Sequence, residues 1–157
     1  MNNIERRSLD KEEIEKILPH RGRALLLDRV EFDGDKTIGY LTVREEHCEG
    51  HLPGFPIMRG VDRIEMIALT LGVAARTQLP EGYLPFLAKI VGARFPALAK
   101  PGDTIRSEVA ITKISKRIIQ GSGKAFVEEQ VVAEVQEITC VISKMQEKRR
   151  FGESVNI

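Results

Sequence analysis

The sequence predicts a single α+β domain in which a long apolar helix is buried against an antiparallel sheet. In residues 66–75 ("MIALTLGVAA") only Thr70 and Gly72 are not frankly apolar, so this helix should be buried on most sides. The segments that follow it are strand-like and are separated by turn signals. The order of a short helix, a hairpin, the long helix and at least three strands is typical of α+β domains.

The first third of the chain predicts a short helix and a β-hairpin. Residues 1–10 are polar and are expected to be loose. Apolar residues then recur at helical spacing between Asp10, a candidate N-cap, and Pro19, which ends the helix. Residues 24–32 ("ALLLDRVEF") and 37–43 ("TIGYLTV") resemble strands, and the "DGD" between them is a strong turn signal.

The remainder predicts the long helix and the other strands. The helix is expected over residues 61–79, with strands over 87–95 and 104–114 on either side of a "PGD" turn. Residues 124–135 ("KAFVEEQVVAEV") alternate as one strand, in which Glu129 breaks the pattern and suggests a bulge.

Bulk composition excludes several classes of protein. The 157 residues are 42% apolar and 30% charged with a net charge of +1, so nothing favours nucleic acid as a partner. No apolar run is long enough for a membrane span, and the N-terminus lacks an apolar signal core. The two cysteines form no spaced framework, which favours a reducing cytoplasm. We therefore expect one cytoplasmic domain over residues 1–157, with a core at about 11–144 and flexible termini.

The segment "HLPGFPIMRGVDRIE", residues 51–65, is the most informative stretch of the chain. Its prolines remove backbone donors and fix φ, and its glycines allow close approaches that a side chain would forbid. The segment cannot be a regular element. Such a loop would bring His51 to the start of a helix that carries Glu65, and would leave the first N–H groups of that helix free.

Several segments resemble one enzyme family in order and spacing. "ILPHRGRALLLDRV", "GHLPGFPIMRGV", "GARF", "PGD" and "GKAFVEEQVVAE" are similar to the 3-hydroxyacyl-[acyl-carrier-protein] dehydratases of type II fatty acid synthesis, over about residues 13–143. The resemblance implies the hot-dog fold, a long central apolar helix wrapped by a curved antiparallel β-sheet. It also implies elimination of water from a (3R)-hydroxyacyl thioester to give the trans-2-enoyl thioester, without cofactor or metal.

The resemblance also implies where the reaction takes place. His51 and Glu65, contributed by the two subunits of a dimer, would share one catalytic site, and the backbone N–H of Gly60 would bind the thioester carbonyl. A glutamate at position 65, where dehydratase-isomerases carry aspartate, implies dehydration without isomerisation. The expected partners are an acyl carrier protein and further copies of the chain, as a homodimer or a trimer of dimers. Further substrate contacts are expected at Pro56, Met58 and Val61.

The residue types suit this chemistry. A neutral histidine is basic near neutral pH and can take a proton from C2. A glutamic acid whose pKa is raised by burial can protonate the departing hydroxyl. A helix N-terminus can stabilise negative charge on the thioester oxygen. His47 and His51 in "HCEGH" resemble zinc ligands, but Gly50 and Pro53 disfavour the helix that would bring them together.

Departures from the family pattern leave alternatives open. Arg59 replaces a loop proline, Asp62 and Arg63 occupy positions that are usually aliphatic, and Leu69 replaces a glutamine. These changes leave open a thioesterase or a non-catalytic acyl-binding or partner subunit. His20 is interpreted as structural or adjacent to the substrate, and Cys48 as a packing residue. A basic rim for the carrier protein has five candidates: Arg59, Arg63, Lys89, Arg94 and Lys100.

Overall fold

The computed structural model describes residues 7–144, and it contains two α-helices and seven strands. The helices are α1 (Lys11–Ile17) and α2 (Gly60–Arg76). The strands are β1 (Arg7–Leu9), β2 (Arg29–Asp33), β3 (Lys36–Thr42), β4 (Tyr83–Arg94), β5 (Thr104–Ile114), β6 (Ile118–Val127) and β7 (Gln130–Lys144).

All seven strands form one antiparallel sheet in the order β1-β2-β3-β5-β6-β7-β4. The strand that follows α2 in sequence, β4, therefore lies at the far edge of the sheet, beside the last strand. The α+β class with an antiparallel sheet is confirmed. Within residues 7–144, neither helix is long and apolar enough to cross a membrane.

The long helix lies inside the curve of the sheet. It contacts five adjacent strands, β3, β5, β6, β7 and β4. Five strands span about 19 Å, whereas a helix with its side chains is only about 10–12 Å wide. The sheet must therefore curve around α2. Ten of the 17 helix residues are buried, which confirms the expectation of a helix enclosed on most sides.

Glycines on the concave face of the sheet allow α2 to approach closely. A Cβ added to Gly121 would lie 2.6 Å from Leu71 Cδ1 and 2.7 Å from the backbone oxygen of Ala110. Added Cβ atoms on Gly39 and Gly123 would collide with Thr70 and Ile67 of α2. These glycines therefore provide the space that the helix occupies.

The N-terminal elements agree with the prediction except at two places. Asp10 caps α1 in a capping box with Glu13, and the hairpin of β2 and β3 is confirmed. The expected loose segment is wrong at Arg7–Leu9, which pair with β2 because β2 offers an open edge. The predicted strand 24–32 begins only at Arg29, since Gly22–Ala24 form a 3-10 turn before it. Residues 1–6 and 145–157, which include the C-terminal segment expected to be flexible, lie outside the described residues.

The prediction of one strand over residues 124–135 is wrong. The chain reverses there, with Val127 paired to Gln130 and a two-residue turn at Glu128 and Glu129 between β6 and β7. Glu128 has φ of 53°, in the left-handed region that favours glycine. The turn contains neither glycine nor asparagine, so it carries none of the usual sequence signals of a hairpin.

Substitution of Glu128 by glycine is expected to stabilise the fold. The gain is about 0.5 kcal/mol, because relief of left-handed strain exceeds the entropic cost of a glycine. Chemical denaturation at one protein concentration would measure it. Glu129→Gly is the matched control, since Glu129 has no positive φ, and it should destabilise. Equal effects of the two variants would contradict a strained Glu128.

Candidate active site

A cavity of about 160 Å³ lies between α2, the end of α1 and β4. Its wall is mostly apolar, and its titratable lining residues are His20, Glu65 and Cys140. The remaining lining residues are Leu18, Pro19, Ala68, Leu69, Gly72, Leu84, Pro85, Phe86 and Leu87. The cavity therefore combines an apolar surface with a small number of polar groups, as small-molecule sites commonly do.

Glu65 enters this cavity from the second turn of α2. Its side chain keeps 36% of its exposed area. Burial raises the pKa of Glu65 above its usual value of 4.5, the nearby ring of His20 lowers it, and the negative charge of Asp62 raises it further. Burial is the largest of these effects, so the carboxyl group holds its proton to higher pH than an exposed glutamate.

His20 faces Glu65 from the segment that follows α1. Its Nε2 lies 3.9 Å from Glu65 Oε1, and its Nδ1 is buried without a hydrogen-bond partner in the described part of the chain. Arg21 fixes this segment, because its guanidinium donates to the backbone oxygens of Glu15, Leu18 and His20, each at 2.7 Å.

His51 lies in the proline-rich loop that leads into α2. Its Nδ1 is 3.0 Å from the backbone oxygen of Ile57. A carbonyl oxygen can only accept, so Nδ1 carries a proton, and in the neutral form of the ring Nε2 is the nitrogen with the free lone pair. The loop is attached to the connection between β4 and β5 through the Met58 N–H, which donates to the Ala99 oxygen at 2.8 Å.

The first turn of α2 has no side-chain cap. Arg59 occupies the N-cap position but directs its guanidinium to Asp62, with two contacts of 2.8 Å. The ring of Phe95 packs against Gly60, where an added Cβ would lie 3.0 Å from Phe95 Cε1. Gly60 therefore keeps the ring close to the helix end, and no side chain of residues 7–144 competes for the N–H groups of the first turn.

The two predicted catalytic residues are not brought together within one chain. His51 is not among the residues that line the cavity of Glu65, and no hydrogen bond or ion pair joins them in residues 7–144. Met58 is fully buried in the core, whereas Val61 is 62% exposed. Pro56 is exposed and borders a different groove, near Leu98. Their roles toward a substrate stay predictions.

Arg63 is buried, so its assignment to a basic rim is wrong. The side chain is 3% exposed, and its Nη1 donates to the oxygens of Ala97 at 2.6 Å and Val132 at 2.5 Å. Burial lowers the pKa of its guanidinium. Arg63 lines no part of the cavity of Glu65, so its positive charge does not face that cavity.

Sequence reasoning assigned no definite role to two of the polar cavity residues. His20 followed a helix-ending proline, which indicated a turn but not its direction. Cys140 lies on β7, and burial together with the charge of Glu65 raises the pKa of its thiol to about 11. The sequence did not predict that residues 84–87 of β4 line the cavity, because this depends on the pairing of β4 with β7.

Comparison with known proteins identifies the family. The model of the FabA-like domain family matches residues 18–136. The 3-hydroxyacyl-[acyl-carrier-protein] dehydratase FabZ of Fusobacterium nucleatum is 41% identical over 142 residues, which cover 87% of this chain and 99% of that protein. The FabZ of Solibacter usitatus is 39% identical over 145 residues, with 89% of each chain covered.

Solved structures agree on the fold. The dehydratase heterocomplex ApeI:P from Xenorhabdus doucetiae matches with a TM-score of 0.72 and 16% identity, covering 84% of this chain and 91% of that one. The thioesterase HI1161 from Haemophilus influenzae matches with a TM-score of 0.59 and 14% identity, covering 76% and 79%. Together with the enclosed helix, these similarities identify the hot-dog fold. By its sequence, the chain belongs to the FabA-like domain family and to the 3-hydroxyacyl-[acyl-carrier-protein] dehydratases within it.

Proposed function

We propose that the protein removes water from (3R)-3-hydroxyacyl groups carried on acyl carrier protein and forms trans-2-enoyl thioesters for fatty acid synthesis. The observation that carries this proposal is the Glu65 carboxyl group, half-buried in an apolar cavity that raises its pKa. Hydroxide is a poor leaving group, and an acid whose pKa is raised holds its proton to higher pH and can assist its departure. The substrate class comes from the FabZ relatives.

In the proposed reaction His51 is the base and Glu65 is the acid. The free Nε2 of His51 takes a proton from C2, and the electrons of that C–H bond form the C2=C3 double bond. The C3–O bond breaks as Glu65 gives its proton to the departing hydroxyl, which leaves as water. Exchange with solvent then returns the proton from His51 to Glu65. The hydrogen bond from Nδ1 to the Ile57 oxygen supports this assignment, because it leaves Nε2 as the basic nitrogen.

The start of α2 is the proposed binding place for the thioester oxygen. Charge accumulates on that oxygen as C2 loses its proton. The N–H of Gly60, together with the partial positive charge of the helix N-terminus, would stabilise it. The absence of a capping side chain at this turn supports the role, since a cap would occupy the same N–H groups.

A complete site needs a second copy of the chain. Strand β4 pairs only with β7, and its other edge has no strand partner in the described residues. Three large apolar side chains of this edge strand, Leu87, Ile90 and Val91, are more than a third exposed. Such an edge is normally covered. A second copy at β4 would lie beside the cavity of Glu65, which β4 itself lines, and could supply His51.

Exposed cations on this chain would suit an acidic carrier protein. Arg59 and Arg94 are already paired with Asp62 and Glu134. Lys89 and Lys100 are exposed and have no carboxylate partner within residues 7–144. Unpaired cations can attract an acidic partner at lower desolvation cost than paired ones, so Lys89 and Lys100 are the proposed docking residues.

The proposal is tested by assaying the wild type with a carrier-linked 3-hydroxyacyl thioester and with a free short-chain thioester. Absorbance of the conjugated product and release of free thiol are recorded together. Enoyl formation without thiol release is expected. Lys100 lies outside the β4 edge, and Lys100→Glu should raise KM only for the carrier-linked substrate. Thiol release would indicate a thioesterase instead, and a folded protein inactive at all chain lengths would indicate a binding or partner subunit.

A further inference from the structure

We propose that His20 is a positioning residue for Glu65, which it holds through a neutral Nε2–H group directed at the carboxylate. The inference rests on the proposed role of Glu65 as the acid. It starts from one contact, the 3.9 Å between His20 Nε2 and Glu65 Oε1 inside the apolar cavity. This distance exceeds a hydrogen bond, and contacts of this kind commonly shorten when a substrate binds.

The buried side of the ring determines which nitrogen carries the proton. His20 Nδ1 is buried and has no partner among the described residues. A proton on Nδ1 would leave a buried N–H group unpaired, which is costly. The uncharged ring with its proton on Nε2 places a nitrogen lone pair instead of an N–H group on the buried side, and it presents the Nε2–H group to Glu65. Geometry therefore favours His20 as a neutral donor rather than as a positive charge.

Hydrogen bonds fix the backbone on both sides of His20. Pro19 precedes the ring, and Arg21 links the oxygens of Glu15, Leu18 and His20 through three contacts of 2.7 Å. A side chain on such a fixed segment loses little further freedom when it contacts a neighbour. His20 is thus preorganised with respect to α2.

The other charged or titratable groups around Glu65 do not duplicate this contact. Asp62, on the same helix, carries a negative charge that raises the pKa of Glu65 and so disfavours the ionised carboxylate. Cys140 of β7 lines the same cavity, and its pKa of about 11 leaves the thiol neutral. Strand β4 contributes only apolar residues and a proline to the cavity. His20 is therefore the group that can stabilise the carboxylate as Glu65 gives up its proton.

The test compares His20→Ala, which removes the donor, with His20→Gln, which retains an N–H donor but no titratable ring. We expect kcat to fall about tenfold in His20→Ala with KM nearly unchanged, the scale of one hydrogen bond to a charged group. His20→Gln should recover most of that loss. Carbon-13 NMR of labelled carboxyl groups, with the Glu65 signal identified by its absence in Glu65→Gln, should give a higher Glu65 pKa in His20→Ala only.

The outcomes separate this inference from the function on which it rests. A wild type without dehydratase activity would contradict the proposed function, while the NMR titration would still decide whether His20 acts on Glu65. An unchanged Glu65 pKa in His20→Ala would overturn the inference, even if the variant were less stable. Equal losses in His20→Gln and His20→Ala would also overturn it, since they would indicate that the ring, rather than its N–H group, is required.

Discussion

The His51→Ala and Glu65→Gln variants should each lose at least about 100-fold in kcat, because each removes one of the two proton-transfer groups. Glu65→Gln changes the shape of the cavity little, so its loss would report the missing proton rather than a packing defect. Enoyl absorbance with a short-chain thioester measures the rate, and circular dichroism checks that both variants fold. An active Glu65→Gln variant would contradict the proposed acid.

His47→Gln is a matched control for the histidine substitution. His47 lies four residues before His51, and its Nδ1 accepts from the Arg44 N–H at 3.0 Å. It lines no part of the cavity that contains Glu65. Its replacement should leave kcat within about twofold of the wild type, as expected for a residue outside the proton-transfer pair.

Co-expression of the two inactive variants tests whether the site is shared between chains. In a mixed dimer, one site would combine the intact His51 of one copy with the intact Glu65 of the other. With random pairing, half of the dimers are mixed and half of their sites are intact, so about a quarter of wild-type activity should return. No recovery in mixed dimers that are verified by mass would contradict a shared site.

Replacement of Gly121 by alanine is the second large expected effect. The variant should lose about 2 kcal/mol in free energy of unfolding, which would lower Tm by about 4–8 °C. The added Cβ would lie 2.6 Å from Leu71 Cδ1 and 2.7 Å from the Ala110 backbone oxygen. Leu71 can rotate, but the oxygen belongs to β5, which is paired with β6, so either the strands or the helix must shift.

Ser122→Ala provides the control for this substitution. Ser122 is the next residue of β6, and successive side chains of a strand point to opposite faces. Its change should cost less than about 0.5 kcal/mol. Denaturation must be followed at one protein concentration, because subunit association would contribute to the measured stability. Equal stability of Gly121→Ala and the wild type would show that α2 does not depend on this close approach.

The long helix and the proline-rich loop before it were predictable from the sequence because their signals are local. Residues 66–75 are apolar on nearly all sides of the helix. Asp10 and Glu13 have the spacing of a capping box. The β6–β7 turn was missed because it carries no such local signal. Glu128 adopts a left-handed conformation that its residue type does not suggest, and the apolar residues before and after the turn keep the same alternating phase, interrupted only at Glu129. Long-range pairing imposes the turn, and the local sequence does not reveal it.

Only part of the candidate site could be predicted from the sequence, because its other residues meet through long-range contacts. The loop signature identified His51 and Glu65 without showing that one chain keeps them apart. The strand order places β4 at the far edge of the sheet, beside β7. Only this order brings together His20, Cys140 and the β4 residues of the cavity. Arg63 appeared as a surface cation, because its backbone acceptors at positions 97 and 132 are distant in sequence.

The Cys140 thiol in the cavity wall affects how readily the reaction product could inactivate the enzyme. The proposed product, a conjugated enoyl thioester, is an electrophile toward thiolates, and Cys140 lines the space in which it would form. With a pKa of about 11, only about one thiol in ten thousand is ionised at pH 7. The burial that raises the pKa of Glu65 also raises that of Cys140, and it thereby protects the catalyst from alkylation by its own product.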